Sequence, residues 1–450
     1  MLDGLYARWM YAWETRLTTR DQNRIVRPLE WGFDWLMPYL RGVGLDDEAL
    51  RVSERLARGD VAAQPDAKAL MMAVNEAILA DSEQFFGYRT PTDFRLEERA
   101  PQLFPTNVRP ETLRKAWRME QAAAQGKIPP AQFLRFTSPI RTPYPENDAA
   151  NARWFPAEPN PGRPKQAIIV LPQWNADALS HNALCAIFNR FGVSALRLSK
   201  PYHDIRRPAE LERADYAVSA NIGRTLAAVQ QAVVDIRCCL DWLEEQGYEQ
   251  FGVLGTSLGS CYAFLASAHD ARLRVNAFNH ASAAFGDVVW TGQSTRHIRQ
   301  GLEDAGFTQG DLRRLWAGIS PMHYYAKFAS YSNGQAAASL ASAKHALLVY
   351  ARYDLTFPLE YSLEVLRSFD EHGIVFERRE LPCGHYTTGE TPFQYMDGWF
   401  LGSFVYRAFR ALATEAPPGR APTALGKGEG SSEEPELAVH GEAKTHKMLV

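Results

Sequence analysis

The sequence predicts an α/β protein with a mostly parallel central sheet that is covered by helices on both faces. Short apolar runs alternate with helical stretches between residues 133 and 411, and this rhythm is typical of such a sheet. The runs at 167–171 and 346–350 are apolar throughout, as expected of strands buried on both faces. A strand, a sharp turn and a helix start follow one another at 250–260.

The first part of the chain, to about residue 126, predicts helices with clustered aromatic side chains. Trp9 and Trp13 lie in one cluster, and Trp31 lies in a second. A free helix does not expose so many aromatic residues. We therefore expect a helical extension that packs on a larger domain, with the tryptophans mostly in its core.

The central part predicts strands and helices in regular succession. The helix at 225–246 is the clearest, because its apolar residues recur at steps of three and four and Gly247 closes it. A segment between the late strands, about 286–335, predicts a helical insertion. The predicted strands are 133–144, 151–155, 167–171, 192–198, 251–254, 275–278, 346–350 and 374–376. The other predicted helices are 180–191, 258–268, 359–369 and 392–411.

These elements divide the chain into three predicted parts. Residues 1–128 form the N-terminal helical extension, residues 129–412 form the α/β domain, and residues 413–450 form a tail. The tail consists mainly of Gly, Pro, Glu, Lys and Ser, so it has too little apolar surface to fold, and we expect disorder there.

Composition restricts the classes of function. The net charge of -3 does not favour a nucleic acid as partner. The five cysteines show no paired spacing of metal ligands, which favours reduced thiols in a cytoplasmic protein. We expect no signal peptide and no transmembrane segment, since the chain lacks a basic start followed by an apolar block and lacks an apolar run of spanning length.

The stretch from Gly255 to Gly259 has the pattern G-x-S-x-G between a strand and a helix. In a nucleophile elbow, the central serine adopts a strained backbone conformation that exposes its hydroxyl. Both flanking positions are glycine because a side chain there collides with the neighbouring strand or helix. Ser257 is therefore the candidate nucleophile.

A serine hydroxyl needs a base within hydrogen-bond reach, and the base needs an acid to orient it. Asp354 follows the strand at 346–350, and His385 lies in a loop after the last strand. Both residues therefore lie at strand ends, as Ser257 does, and the order along the chain is Ser, Asp, His. In open parallel sheets, sites lie at the carboxyl ends of the strands.

With these residues the chain resembles the α/β-hydrolase superfamily, whose catalytic triad follows this order. The resemblance covers about 133–411 and rests on Gly255-Thr256-Ser257-Leu258-Gly259, on the Asp354 turn that ends in Phe357-Pro358, and on Gly384-His385. It implies an esterase-like serine hydrolase without a metal or organic cofactor, and it places the insertion at 286–335 where family members carry a lid. Ser257 is then the nucleophile, His385 the base and later acid, and Asp354 the group that orients His385.

Rival residues exist for two of these roles. Asp287 is the alternative acid, because some family members place the acid one strand earlier. His203 and His280 are alternative bases, but both precede Asp354 and break the family's order.

The oxyanion needs two backbone donors. The elbow implies the N-H of Leu258 as the first. The second is expected from the loop Pro172-Gln173-Trp174-Asn175, which departs from the family's common His-Gly pattern. We predict Trp174 for this donor, with Gln173 as the alternative.

Other candidate residues rim the same cleft. His203 and Arg206 either bind a carboxylate or phosphate of the substrate or stabilise their own loop. Trp290 in the insertion either lines an acyl pocket or packs in the core.

The main functional hypothesis is a serine hydrolase that cleaves a small-molecule carboxylic ester. A peptidase, amidase or acyltransferase of the same fold is the first alternative, since the motif does not specify the leaving group or the acceptor. The second alternative is a non-catalytic binding protein that retains the fold.

Overall fold

The structure is a computed structural model that describes residues 2–158, 161–332 and 343–414. The predicted disordered tail lies outside the described residues, apart from positions 413 and 414. The described part contains strands β1 Arg95–Arg99, β2 Ala131–Thr137, β3 Ala149–Phe155, β4 Gln166–Leu171, β5 Val193–Ser199, β6 Gln250–Thr256, β7 Leu273–Asn279, β8 His345–Ala351 and β9 Phe376–Leu381.

These strands form one sheet in the order β1-β2-β3-β5-β4-β6-β7-β8-β9. Strand β3 is antiparallel to both β2 and β5, and β1 is antiparallel to β2. From β5 to β9 every neighbouring pair is parallel. The carboxyl ends of β6 and β8 therefore lie at the same edge of the sheet as the end of β9, and this edge carries the site. The predicted mostly parallel sheet is confirmed.

Helices cover both faces of this sheet. The α-helices are α1 Leu2–Thr18, α2 Met37–Val43, α3 Asp46–Ala57, α4 Ala63–Ala80, α5 Ser82–Phe85, α6 Pro110–Ala124, α7 Pro145–Asp148, α8 Asn182–Arg190, α9 Ile222–Glu245, α10 Leu258–Ala268, α11 Phe285–Thr291, α12 Arg296–Glu303, α13 Gln309–Leu315, α14 Tyr325–Ser332, α15 Leu359–Glu371 and α16 Phe393–Thr414.

Alternate residues of β4 belong to two separate cores, because successive side chains of a strand point to opposite faces. Ile169 and Leu171 pack in the core that contains the buried face of α9 and α10. Ile168 and Val170 pack in the core formed with α8 and α16. All four side chains are fully buried, so the continuous apolar run at 167–171 reflects a strand covered on both sides.

The N-terminal part differs from the prediction at one place. Residues 1–126 were expected to be helical, but Arg95–Arg99 form the edge strand β1. Its sequence, Arg-Leu-Glu-Glu-Arg, has no apolar alternation, and the strand forms because the edge of β2 offers backbone partners. Nearby, the predicted strand at 133–144 ends at Thr137, where the chain turns towards the short helix α7. The last strand begins at Phe376, later than predicted.

The aromatic residues of the N-terminal part are only partly core. Trp31 is buried, but Trp9 is 52% exposed. Helix α1 lies near α16, where the Trp13 and Phe393 ring centroids are 6.2 Å apart. Helices α11 to α14 occupy the predicted insertion between β7 and β8. Across the described ranges, we find no helix of the length and hydropathy needed to cross a membrane.

Candidate active site

The turn between β6 and α10 holds Ser257 in a strained backbone conformation with a positive φ, at φ 57° and ψ -120°. A Cβ on Gly255 would lie 2.1 Å from the carbonyl oxygen of Gly259, and a Cβ on Gly259 would lie 2.3 Å from that of Leu171. Strand and helix therefore approach so closely that only glycine fits at both positions. The Ser257 N-H donates to the Asn279 carbonyl at 2.8 Å, which fixes the turn on β7.

The structure brings Ser257, His385 and Asp354 together. His385 Nε2 lies 2.9 Å from Ser257 Oγ, and His385 Nδ1 lies 2.8 Å from Asp354 Oδ2. The Phe357 ring stacks on the imidazole at 5.0 Å between centroids and limits its rotation. The three side chains thus form a continuous hydrogen-bonded line across the ends of β6, β8 and β9.

The Asp354 carboxylate is buried, yet it remains ionised. Burial acts to raise its pKa, but the neighbouring His385 and His280 outweigh burial and hold the pKa of Asp354 well below its usual range. Its other oxygen, Oδ1, accepts the N-H groups of Thr356 and Phe357 at 2.7 and 2.6 Å. These bonds orient Oδ2 towards His385.

His385 has a shifted pKa in the opposite direction. Burial acts to lower it, but the negative charge of Asp354 and its hydrogen bond prevail, and Glu14 adds to them, so the pKa of His385 is raised. These surroundings therefore stabilise the protonated form of His385.

The rival residues have other surroundings. Asp287 is buried and accepts hydrogen bonds from Gln309 at 3.0 Å and Arg313 at 2.6 Å. His280 lies beside the line: its Nδ1 is 3.4 Å from Asp354 Oδ2. Burial lowers the pKa of His280, while the hydrogen bond and the charge of Asp354 act in the opposite direction.

The loop after β4 is held by buried polar groups. Lys200 Nζ donates to the Gln173 carbonyl at 3.1 Å, and His203 Nε2 accepts the Asn175 N-H at 3.2 Å. Both side chains are at most 2% exposed. Burial lowers the pKa of Lys200 to about 7. Lys200 was not singled out from the sequence, because a lone lysine after a strand carries no motif.

The candidate oxyanion donors lie on this loop and on the elbow. In a trans peptide the N-H of Trp174 points opposite to the Gln173 carbonyl, so it points away from Lys200. In the part of the chain that the structure describes, no acceptor is present for the N-H of Leu258, Gln173 or Trp174. The Trp174 indole donates to the Ala214 carbonyl at 2.9 Å, which anchors this residue.

A narrow cleft with a cavity volume of about 60 Å³ opens beside Ser257. Among the described residues that line it there is no Asp, Glu, Lys, Arg or His, and the largest side chains are aromatic. The lining residues are Trp174, Val218, Ser257, Leu258, Cys261, Ser282, Phe285, Val288, Val289, Ser294, Thr295, Pro321, Thr356 and Phe357. The insertion supplies six of them from 285 to 321, none of which the sequence analysis singled out, since apolar residues in a helical segment give no signal beyond packing.

Three candidate substrate-binding residues are corrected by their positions. Arg206 is fully buried and pairs with Asp235 at 2.8 Å, so its charge does not face the cleft. The His203 ring accepts the Asn175 N-H and so supports the loop after β4. Trp290 is absent from the cleft wall, and the Arg299 guanidinium lies 5.3 Å from its ring.

One group that contacts the site comes from helix α1. Glu14 is fully buried, and its carboxylate accepts the N-H of Tyr386 at 2.8 Å and of Thr387 at 3.0 Å. The sequence analysis missed it, because a single glutamate among aromatic residues reads as part of an amphipathic helix.

The strand order, the elbow and the Ser-His-Asp line together define an α/β-hydrolase fold, and the chain has this fold. No protein-family model matches the chain, and no curated protein sequence matches it.

Several solved structures are similar to it. An acylaminoacyl peptidase from Pyrococcus horikoshii is 13% identical with a TM-score of 0.45; the match covers 65% of this chain and 48% of that one, so the chain spans about half of its length. Acetyl xylan esterase 1 from Thermoanaerobacterium sp. JW/SL YS485 is 13% identical, with a TM-score of 0.47 and coverage of 74% and 93%. An acetyl xylan esterase from Paenibacillus sp. R4 is 11% identical, with a TM-score of 0.49 and coverage of 73% and 93%.

Proposed function

We propose that the protein is a serine hydrolase that cleaves a carboxylic ester through an acyl-enzyme on Ser257. One observation carries the proposal: Ser257 Oγ, the His385 ring and Asp354 Oδ2 are joined by contacts of 2.9 and 2.8 Å beside a cleft. Each member has the environment that its role needs. The hydroxyl has a base, the base has an acid, and the acid stays ionised.

In the first half of the reaction, Ser257 Oγ attacks the ester carbonyl carbon while His385 Nε2 takes the hydroxyl proton. The oxyanion that forms accepts hydrogen bonds from the N-H of Leu258 and of Trp174. The bond to the leaving oxygen then breaks, and His385 returns its proton to the leaving alcohol. Ser257 keeps the acyl group.

In the second half, a water molecule attacks the acyl carbon and gives its proton to His385. The bond to Ser257 Oγ breaks, His385 reprotonates that oxygen, and the carboxylic acid leaves. Asp354 stabilises the imidazolium in both halves because its carboxylate lies against Nδ1, and the low pKa of Asp354 keeps it charged.

The cleft supports an uncharged, largely apolar acyl group. A charged acyl chain would lose its hydration against a wall without any ionic partner, which is costly. We propose neutral esters as the substrates and an alcohol as the leaving group.

The test replaces the nucleophile. The variant Ser257→Ala should lose on the order of a million-fold in kcat with short-chain activated esters, and a fluorophosphonate probe should label Ser257 in the parent protein, as shown by peptide mapping. Ser330→Ala, an exposed serine of α14, is the matched control and should keep full activity. Activity retained in Ser257→Ala would refute the assignment. Matched esters and amides in one panel separate the esterase from the amidase hypothesis.

A further inference from the structure

Helix α1 lies outside the β-strand framework that carries the candidate triad, yet it contacts the His385 loop at several points. Besides the two N-H bonds to Glu14, the Thr387 hydroxyl donates to Glu14 Oε2 at 3.1 Å. The Tyr6 hydroxyl donates to the Pro382 carbonyl. These contacts lie on both sides of His385 in sequence, so α1 braces the whole loop from 382 to 387.

The Glu14 carboxylate supplies hydrogen-bond acceptors to the backbone of the His385 loop. The backbone N-H groups of Tyr386 and Thr387 lie in the interior, where an unpaired donor is costly. A Cβ on Gly384 would lie 2.4 Å from Glu14 Oε2, so the loop approaches the carboxylate as closely as glycine permits. The Gly384 N-H donates to the Thr387 hydroxyl at 2.6 Å, which extends the network to the residue before His385.

The charge of Glu14 also acts on the triad. The titratable groups that face it are Asp354, His385 and Cys383, together with Tyr386 next to His385. Burial raises the pKa of Glu14, and its backbone hydrogen bonds oppose that effect. A carboxylate that accepts from two N-H groups and one hydroxyl has its acceptor sites occupied in the charged form.

We propose that Glu14 is a positioning residue for the hydrolytic reaction, which holds the His385 loop in register with Ser257. Its negative charge also favours the protonated form of the His385 ring. The inference rests on the proposed function for its catalytic consequence. The proposal gives the N-terminal extension a part in the active site. Helix α1, which carries Glu14, is far from His385 in sequence and packs against the His385 loop from outside the sheet.

The experiment compares Glu14→Gln with the parent protein and with Glu76→Gln, an exposed glutamate within α4 that undergoes the same chemical change. Glutamine keeps the volume of Glu14 but loses its charge and offers one acceptor oxygen where the carboxylate offers two. We expect kcat/KM for an activated ester to fall by about 10- to 100-fold, since a displacement of about 1 Å is sufficient for such a loss. Glu76→Gln should match the parent.

A second readout separates positioning from plain stability. Only neutral His385 acts as base, so kcat/KM rises as pH passes the pKa of His385. Without the negative charge of Glu14 this pKa falls, and the rising limb should move to lower pH in Glu14→Gln. If Glu14→Gln lowers the melting temperature but leaves the rising limb of the kcat/KM pH profile at the same pH, the proposal is overturned.

A third readout is independent of activity. Titration of the His385 ring by NMR, with selectively labelled histidine and assignment by His385→Asn, should show a lower midpoint in Glu14→Gln than in the parent. If Ser257→Ala retains hydrolysis, the proposed function fails while this titration still decides the role of Glu14. An unchanged midpoint would overturn the inference whatever the hydrolysis assay gives.

Discussion

Replacing Asp354 with asparagine tests the candidate site most directly. Oδ1 of Asp354 accepts two backbone N-H groups, from Thr356 and Phe357. In Asp354→Asn the amide oxygen must take that place, so the NH₂ group points at His385 Nδ1. Since this amide can only donate, Nδ1 becomes an acceptor and the proton of neutral His385 moves to Nε2. A protonated Nε2 faces Ser257 Oγ and cannot accept its proton.

The expected loss in kcat is about 10⁴-fold, the size found when a triad imidazole is held in the wrong tautomer. Four factors of ten, at about 1.4 kcal/mol each, correspond to about 5.5 kcal/mol of transition-state stabilisation. The pH profile should change as well. Because Asp354 raises the pKa of His385, its neutralisation moves the rising limb of any residual activity to lower pH.

The assay is the pH dependence of kcat and kcat/KM with an activated ester, together with the rate of fluorophosphonate labelling. Asp287→Asn is the matched control, since Asp287 is also buried but binds Gln309 and Arg313. It should lower the melting temperature and leave kcat within about threefold of the parent. A fall in kcat of less than tenfold in Asp354→Asn would refute the tautomer argument. A fall of more than tenfold in Asp287→Asn would refute it as well.

Two further substitutions distinguish loop support from substrate binding. Arg206→Met leaves Asp235 buried without its partner, so we expect the free energy of unfolding in urea to fall by about 3–5 kcal/mol with KM unchanged; a raised KM in a fully stable variant would restore the predicted substrate role. Lys200→Met frees the Gln173 carbonyl, and we expect kcat to fall by up to about 100-fold as the Trp174 donor shifts; unaltered kcat in the folded variant would remove this loop from the oxyanion site.

Most of the fold and the three central side chains could be predicted from local signals. The strand at 167–171 was predicted because it is apolar on both faces, and the helix at 225–246 because of its period. Ser257 was identified because the glycines on either side have a steric cause. His385 and Asp354 were candidates because both follow strands of a parallel sheet. The resemblance to the α/β-hydrolase superfamily favoured them over their rivals.

The errors arose where tertiary contacts determine the outcome. Strand β1 has no apolar alternation and depends on the free edge of β2. For Arg206 the sequence left substrate binding and support of its own loop open, and the structure pairs its charge with Asp235 inside the protein. His203 supports the loop after β4 through Asn175. Sequence shows the chemical group but not the direction in which it points.

By itself the sequence determined the class of sheet, the position of the sharp turn at Ser257 and the order of the candidate triad. The class of sheet and the sharp turn depend on side-chain period and backbone sterics, which act over a few residues. The triad order was matched through the resemblance to the α/β-hydrolase superfamily. Only the tertiary structure decided which groups complete the site. The bond between Glu14 and the Tyr386 N-H spans 372 positions, and no local signal encodes a contact that exists only once helix α1 has packed against the His385 loop.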